Sequence, residues 1–405
     1  MYFIKKFLGI EYNRINQIID SFNYMTKSYI NLEACCSIPF KSVMKAQSAP
    51  TYLLPTEGVI GNRFFPEMNC IDDIDKYSEM IILDLFGLKQ SQFKATTQPH
   101  SGTQANQIVY NAILNDGDSV ISLNTKSGGH ISHNKFIKNI TVYNFGLTPD
   151  GNVDYEHLKN LLIAKRPKLV IIGASSFPNI IKYELIIKLA HEYGALVLAD
   201  ICHTVLFILG NVYPSPFPDV DFVSFTMDKT LRGPQGGVLI YKTNFEKNIA
   251  YSIFPQTQGG PLQSMQFAKL IGLVELQNIN ISEYAKQVQL NAKVMNETFL
   301  HNGYLTFSKD NSTHIILVDS NQFNLNGSEA EKLLFDNKIL VNKNLIPNDK
   351  QSPEITSGIR LGTTYISNQK FSQEDVRTLS EIIIQILNKQ KYDKELLNNI
   401  ISKYN

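Results

Sequence analysis

Between residues 90 and 245 short apolar runs alternate with amphipathic stretches. VISL (120–123), KLVIIG (168–173), ALVLAD (195–200), DFVSFT (221–226) and GVLIYK (237–242) are short and mostly rich in β-branched or aromatic residues, so each predicts a strand. IVYNAIL (108–114) and residues 183–193 carry apolar positions at helical spacing and fill gaps between the strands. Fully apolar strands are buried on both faces, and intervening helices supply the cover. The alternation predicts an α/β fold with a mostly parallel sheet sandwiched by helices.

Outside this region the pattern changes. Residues 14–30 read as helix and residues 71–88 as another, opening at the acidic cluster Asp72, Asp73 and Asp75. Residues 33–70, rich in Pro, Gly, Ser and aromatics, predict irregular loop. Residues 262–302 predict long helices, and residues 303–390 predict a smaller α+β unit with strands HIILVD and GIRLG and two helices. The expected organisation is an N-terminal helix and dimer-contacting segment (1–70), a large domain (71–275), and a small C-terminal domain with its connecting helix (276–405).

Composition narrows the function classes. A formal net charge of +1 gives no electrostatic case for nucleic acid or an anionic membrane. No apolar run approaches the roughly 20 residues of a membrane helix. The opening MYFIKKFLGI has two lysines but no following apolar stretch or cleavage site, so it predicts a surface helix and not a signal peptide. Cys35, Cys36, Cys70 and Cys202 match no zinc or redox spacing, which fits reduced thiols in the cytoplasm. His130 and His133 could face one metal, but no third ligand lies nearby in sequence, so no metal is expected.

Three segments carry chemistry. In an open α/β sheet, ligands sit beyond the carboxyl ends of the strands. PHSGTQAN (99–106) places Ser101, Gly102 and Thr103 at a helix N-terminus, where hydroxyls and free N–H groups cradle a phosphate; a plain helix cap is the alternative. Asp200 ends a buried strand and needs a partner there, either loop N–H groups or a protonated pyridine nitrogen. Lys229 follows the strand ending in Thr226, 29 residues after Asp200; desolvation would lower its amine and make it a nucleophile toward an aldehyde. In this order the three are the layout of a pyridoxal phosphate (PLP) site, with Lys229 holding the cofactor as a Schiff base.

With QPHSGTQAN, SGGHISH, KTLRGPQGG, FPQTQGGPL, VNKNLIPND and TSGIRLGT in place, the chain resembles serine hydroxymethyltransferase from about residue 30 to 390. The resemblance implies an aminotransferase-like fold and a PLP-dependent transferase or aldolase acting at the Cα–Cβ bond of serine or glycine, with tetrahydrofolate as one-carbon acceptor. It implies that Ser101, Gly102 and Thr103 bind phosphate, that His130 stacks on the pyridine ring, and that Asp200 pairs with its nitrogen. His203, Ser175 and Thr226 would flank the cofactor, and Arg360 would clamp the substrate carboxylate. Glu57 would be the acid–base glutamate, Phe65 would face substrate, and Asn344 would contact folate. Gly259 and Gly260 would reach the phosphate of a neighbouring subunit, which implies a homodimer with shared sites.

The departures cluster around the substrate. Asp228 stands where the family has histidine before the lysine, Phe64 and Phe65 replace paired tyrosines, and Pro55 replaces another tyrosine. Leu32-Glu33-Ala34 replaces Ser-Glu-Asn, Thr125 replaces a leucine, and the segment after His133 is about four residues shorter than the family's. A carboxylate at Asp228 would favour the protonated form of Lys229 and join it in catalysis. These changes leave open a folate-independent aldolase, a hydroxymethyltransferase for another or an α-substituted amino acid, and an aminotransferase or decarboxylase. A non-catalytic paralogue would need none of Lys229, Asp200, His130 or Arg360.

Overall fold

Seven strands form the central sheet of the computed structural model, which describes residues 12–53, 55–136 and 138–404. They are β1 (Phe93–Thr96), β2 (Ser119–Leu123), β3 (Thr141–Phe145), β4 (Leu169–Ile172), β5 (Leu196–Asp200), β6 (Phe222–Thr226) and β7 (Gly237–Lys242). Their order is β1-β7-β6-β5-β4-β2-β3. Five run parallel from β3 to β6, and β7 is antiparallel to both β6 and β1. Every residue of β4 and β6 is buried, because apolar groups cover both faces. Ile121, Val170, Val197 and Val223 pack into one core, while Leu169, Ile171, Leu198 and Phe222 pack on the other side against Ile108 and Val109.

β1 and β3 are the strands that no apolar run announces. Both lie at sheet edges. β1 alternates buried and half-buried positions, and only Phe145 of β3 is fully buried.

Seven helices matter below: α1 (Tyr12–Ser28), α2 (Asn69–Leu85), α3 (Gly102–Ile113), α4 (Tyr183–Glu192), α5 (Gln263–Gln277), α6 (Ile281–His301) and α7 (Gln373–Leu387). The expected helix in MYFIKKFLGI lies outside the described residues. Residues 33–70 are less irregular than their composition implies. They contain a short helix (Lys41–Ala46), a 3-10 turn (Pro50–Leu53) and a hairpin pairing Gly58–Val59 with Asn62–Arg63. Arg63 ties that hairpin to α2, donating to Asp72 at 2.8 Å and Asp75 at 2.6 Å and to the carbonyls of Thr56 and Gly58. The anchor lies in another element, so local composition does not reveal it.

A second sheet holds β8 (Ile315–Asp319), β9 (Asn342–Asn344) and β10 (Gly358–Gly362), antiparallel in the order β8-β10-β9. Its core includes Ile316, Val318, Ile359 and Leu361 with Leu379 and Ile383 of α7. α6 joins the two cores: Ala285 and Val288 pack under the large sheet, and Ala292, Met295 and Phe299 pack in the second core. Ile30 and Leu32 also belong to the second core, through parallel pairing of Ile30 with Ile339. Among the described residues no helix is long and apolar enough to cross a membrane.

Candidate active site

Asp200 and Thr226, the last residues of β5 and β6, face a cavity of about 200 Å³. Ser101, Gly102, Thr103, His130, Ser175, His203 and Lys229 also line it, joined by His133 and Cys202. Residues spread over 129 positions of the chain therefore meet because parallel strands deliver their carboxyl ends to one edge.

The cradle is built at the start of α3. Ser101 is the helix N-cap, and its Oγ accepts the Gln104 amide at 3.1 Å. The plain cap and the phosphate cradle are thus compatible, since the remaining first-turn N–H groups are left for an anion. A Cβ on Gly102 would stand 2.8 Å from Thr226 Cγ2 and 3.2 Å from Cys202 Sγ. Only glycine lets the helix end approach the strand ends this closely.

Asp200 is buried at the cavity floor. Its Oδ2 accepts from Asn106 at 2.9 Å and from His133 Nε2 at 3.0 Å, and its Oδ1 accepts the Cys202 amide at 3.2 Å. Burial opposes ionisation, but the His133 bond and charge, with the Cys202 and Asn106 bonds, hold the carboxyl well below the usual range. Asn106 is itself oriented by Ser224 of β6, whose Oγ donates to it at 2.6 Å. Asp200 is thus held as a carboxylate, and its Oδ1, which accepts the Cys202 amide, keeps acceptor capacity for a further donor.

Lys229 departs from the sequence expectation. Burial does work to lower its amine, but the anionic surroundings, the carboxylates of Asp200 and Asp228 among them, leave the amine above its ordinary value. Asp228 has its Oδ1 buried without a hydrogen-bond partner, and its carbonyl accepts from Ser37 Oγ at 2.9 Å. Around the lysine, His130 and His203 are neutral. Burial pushes His130 down and His203 well down. His203 stacks on His314, with ring centroids 5.5 Å apart, and His314 Nε2 donates to the Ala34 carbonyl at 2.9 Å.

Arg360, on β10, reaches the cavity rim from the second sheet. It is 8% exposed, its Nη1 donates to the Ser175 carbonyl and its Nε to Asn342 at 3.0 Å. That fixes one side of the guanidinium and leaves Nη2 for a carboxylate.

Seven predicted residues do not line this cavity: Asp228, Arg360, Glu57, Phe65, Gly259, Gly260 and Asn344; of these Asp228 adjoins Lys229 in the chain and Arg360 bonds the Ser175 carbonyl at the rim. Glu57 and Gly260 are instead neighbours of each other, a Cβ on Gly260 falling 3.6 Å from the Glu57 carboxyl. Glu57 Oε2 is buried without a partner. Phe65 is 37% exposed. Asn344 lies on β9, its amide donating to the Leu345 carbonyl at 2.6 Å. Conversely, His133, Asn106, Ser224, Asn342 and His314 escaped the sequence reading. Asn106, His133 and Asn342 lie inside the PHSGTQAN, SGGHISH and VNKNLIPND motifs and Ser224 and His314 in strand runs, but their partners come from distant parts of the chain, so only the fold reveals their roles. Among the described residues no group of three His, Cys, Asp or Glu could hold a metal.

The residues fit pyridoxal phosphate. An ionised, buried Asp200 suits a protonated ring nitrogen, the α3 terminus suits the phosphate, and the unpartnered Thr226 Oγ1 at the cavity supplies a further polar contact. Lys229 supplies the amine for the aldehyde.

The profile of the serine hydroxymethyltransferase family matches residues 10–383. The chain is 37% identical over 369 residues to the serine hydroxymethyltransferase of Cupriavidus necator, covering 90% of this chain and 88% of that protein. Those of Cupriavidus taiwanensis and of Ralstonia nicotianae, the latter named serine hydroxymethyltransferase 1, are 36% identical with the same coverage.

Proposed function

Since the chain belongs to the serine hydroxymethyltransferase family, and is a PLP-dependent transferase interconverting serine and glycine with tetrahydrofolate as co-substrate, we propose that Lys229, Asp200, His130, Arg360 and Glu57 divide that chemistry. The observation that carries the assignment is the single cavity shared by the phosphate cradle, Asp200 and Lys229, with Arg360 bonded to its Ser175 rim.

When bound, the cofactor supplies an electron sink for negative charge at the α carbon of the amino acid. Ser101, Gly102 and Thr103 hold the phosphate. Asp200, fixed by His133 and Asn106, keeps the proton on the ring nitrogen. Neutral His130 offers a flat face for stacking, and His203, Ser175 and Thr226 close the other sides. Arg360 binds the substrate carboxylate and so aligns the Cα–Cβ bond. Lys229 anchors the cofactor and carries protons, and Asp228 favours its charged form. Glu57 moves the proton of the substrate hydroxyl.

Glu57 and Gly260 are neighbours and, with Gly259, do not line the Lys229 cavity, which supports a homodimer in which each subunit completes its partner's site. Asn344 would contact the folate and Phe65 the substrate. The two cores support a large PLP-binding domain over 71–275 and a smaller unit from 276, with residues 1–70 contacting the partner. We place the protein in the cytoplasm, with Cys35, Cys36, Cys70 and Cys202 as free thiols.

The test is a substrate screen on purified protein: serine with and without tetrahydrofolate, allo-threonine, and α-methylserine. Folate-dependent serine turnover, with visible cofactor absorbance lost in Lys229→Ala, is expected. Aldehyde release from allo-threonine or α-methylserine with no serine turnover would replace this reading with the folate-independent one.

A further inference from the structure

Among the described residues, Lys269 of α5 is the one lysine among the largest fully buried side chains, at 2% exposure. Its Nζ donates to the carbonyls of Thr97 at 2.5 Å, Pro99 at 2.8 Å and Gly237 at 2.9 Å. Three acceptors need three N–H donors, which an ammonium has and a neutral amine lacks. Burial lowers the amine to about 7, with Asp228 and then Asp75 working the other way, so it is the three carbonyl acceptors that call for the ammonium form. Room for the side chain is made by Gly236, where a Cβ would fall 2.2 Å from Lys269 Cε and where φ is +139°.

The three carbonyls belong to the turn just before Ser101 and to the first residue of β7. In a trans peptide the C=O and the next N–H point opposite ways. Lys269 holds the carbonyl side of the 97–98 and 99–100 peptides. Their amide sides are held by Thr96 Oγ1, which accepts from Gln98 at 3.2 Å, and by Gln104 Oε1, which accepts from His100. Gln104 is also the residue whose amide caps onto Ser101. The sheet does not need the lysine to close: β1 pairs with β7 from Thr96–Leu239 onward, and Gly237 donates to the Pro99 carbonyl at 2.9 Å. What depends on the ammonium is the orientation of the turn that delivers Ser101 to the cavity.

We infer that Lys269 is a positioning residue of the anion cradle, a buried cation that fixes the Thr97–Ser101 turn and so sets affinity for the phosphate of the cofactor. The inference rests on the assignment of this cavity to pyridoxal phosphate. Its function is separate from that of Lys229, which lines the cavity while Lys269 does not.

The test uses the full-length protein, stripped of cofactor, as wild type and as Lys269→Met, Lys269→Gln and Lys269→Arg. Pyridoxal phosphate is titrated by visible absorbance, and inorganic phosphate by its shift of the apoprotein melting temperature. For Met and Gln the dissociation constant for pyridoxal phosphate should rise about tenfold or more, and the phosphate shift should shrink. KM for serine at saturating cofactor should change little, and Arg, which keeps the charge, should restore much of the affinity. Glutamine keeps donors, for the case in which the apolar variant does not fold. Wild-type cofactor affinity in a folded Met or Gln variant would overturn the inference. So would failure of both to fold even with saturating pyridoxal phosphate, which would make Lys269 a core residue only. A wild type that binds no pyridoxal phosphate would instead sink the cofactor assignment beneath it.

Discussion

Single residues set the charge states of the site. Asp228 contributes, after Asp200, to holding the Lys229 amine above its ordinary value. Replacing it by the family's histidine, Asp228→His, removes one anion beside the amine, so the pH at which the cofactor absorbance titrates should move down. An unmoved titration would show that Asp228 is electrically idle. The stacked pair His203 and His314 gives a second expectation. Burial pushes His314 down to about 3 and His203 well below its ordinary value. An unfolded imidazole titrates near 6.5, so below that pH the unfolded chain binds protons that the folded chain refuses. Stability of the apoprotein should therefore fall as pH drops from 6.5, by up to about 1.4 kcal/mol per pH unit for each imidazole. Denaturant melts at pH 6.5 and 4.5 measure this, and His314→Asn, which keeps a donor for the Ala34 carbonyl, should flatten the slope. An equal slope in the variant would contradict the assignment.

Among the elements, α3 joins folding to ligand binding. Its N-cap Ser101 satisfies Gln104 and stands at the cavity edge. Ser101→Ala should cost about 1 kcal/mol of apoprotein stability. It should also weaken cofactor binding, read as a smaller gain in melting temperature on adding pyridoxal phosphate. Loss of stability with an unchanged gain would leave Ser101 a cap and nothing more. The central strands β2 and β4 to β7 stood out in the sequence because burial on both faces forces continuous apolar runs. β1 and β3 did not, because an edge strand with half-buried positions tolerates polar residues such as Lys94 and Asn144. The hairpin that carries Glu57 was hidden for a different reason: its anchor, Arg63, is paired with Asp72 and Asp75 on α2.

For the whole molecule, the absence of Glu57, Gly259 and Gly260 from the lining of the Lys229 cavity leads to an expectation about assembly. If each site takes Glu57 from the partner, Glu57→Gln and Lys229→Ala are each inactive alone. Co-refolded in equal amounts they should recover about a quarter of wild-type activity, because half the dimers are mixed and each mixed dimer has one intact site. No recovery would mean that Glu57 serves the Lys229 of its own chain.

What the sequence determined by itself was the α/β class, the strand-end positions of Asp200 and Lys229, and the glycine and hydroxyl pattern of the cradle. Those are local: periodicity, turn chemistry and motif order are written in neighbouring residues. The tertiary structure decided the rest. His133, Asn106 and Ser224 act on Asp200 only because β6 lies beside β5 and because α3 and the turn at Ile131–Asn134 come against the end of β5. The charge state of Lys229 followed from which anions surround it, reversing what burial alone would do. Lys269 looked like any other lysine until three carbonyls, up to 172 residues away in the chain, were found around its amine. Electrostatics and hydrogen bonding depend on distance in space, and no local pattern in the chain encodes that distance.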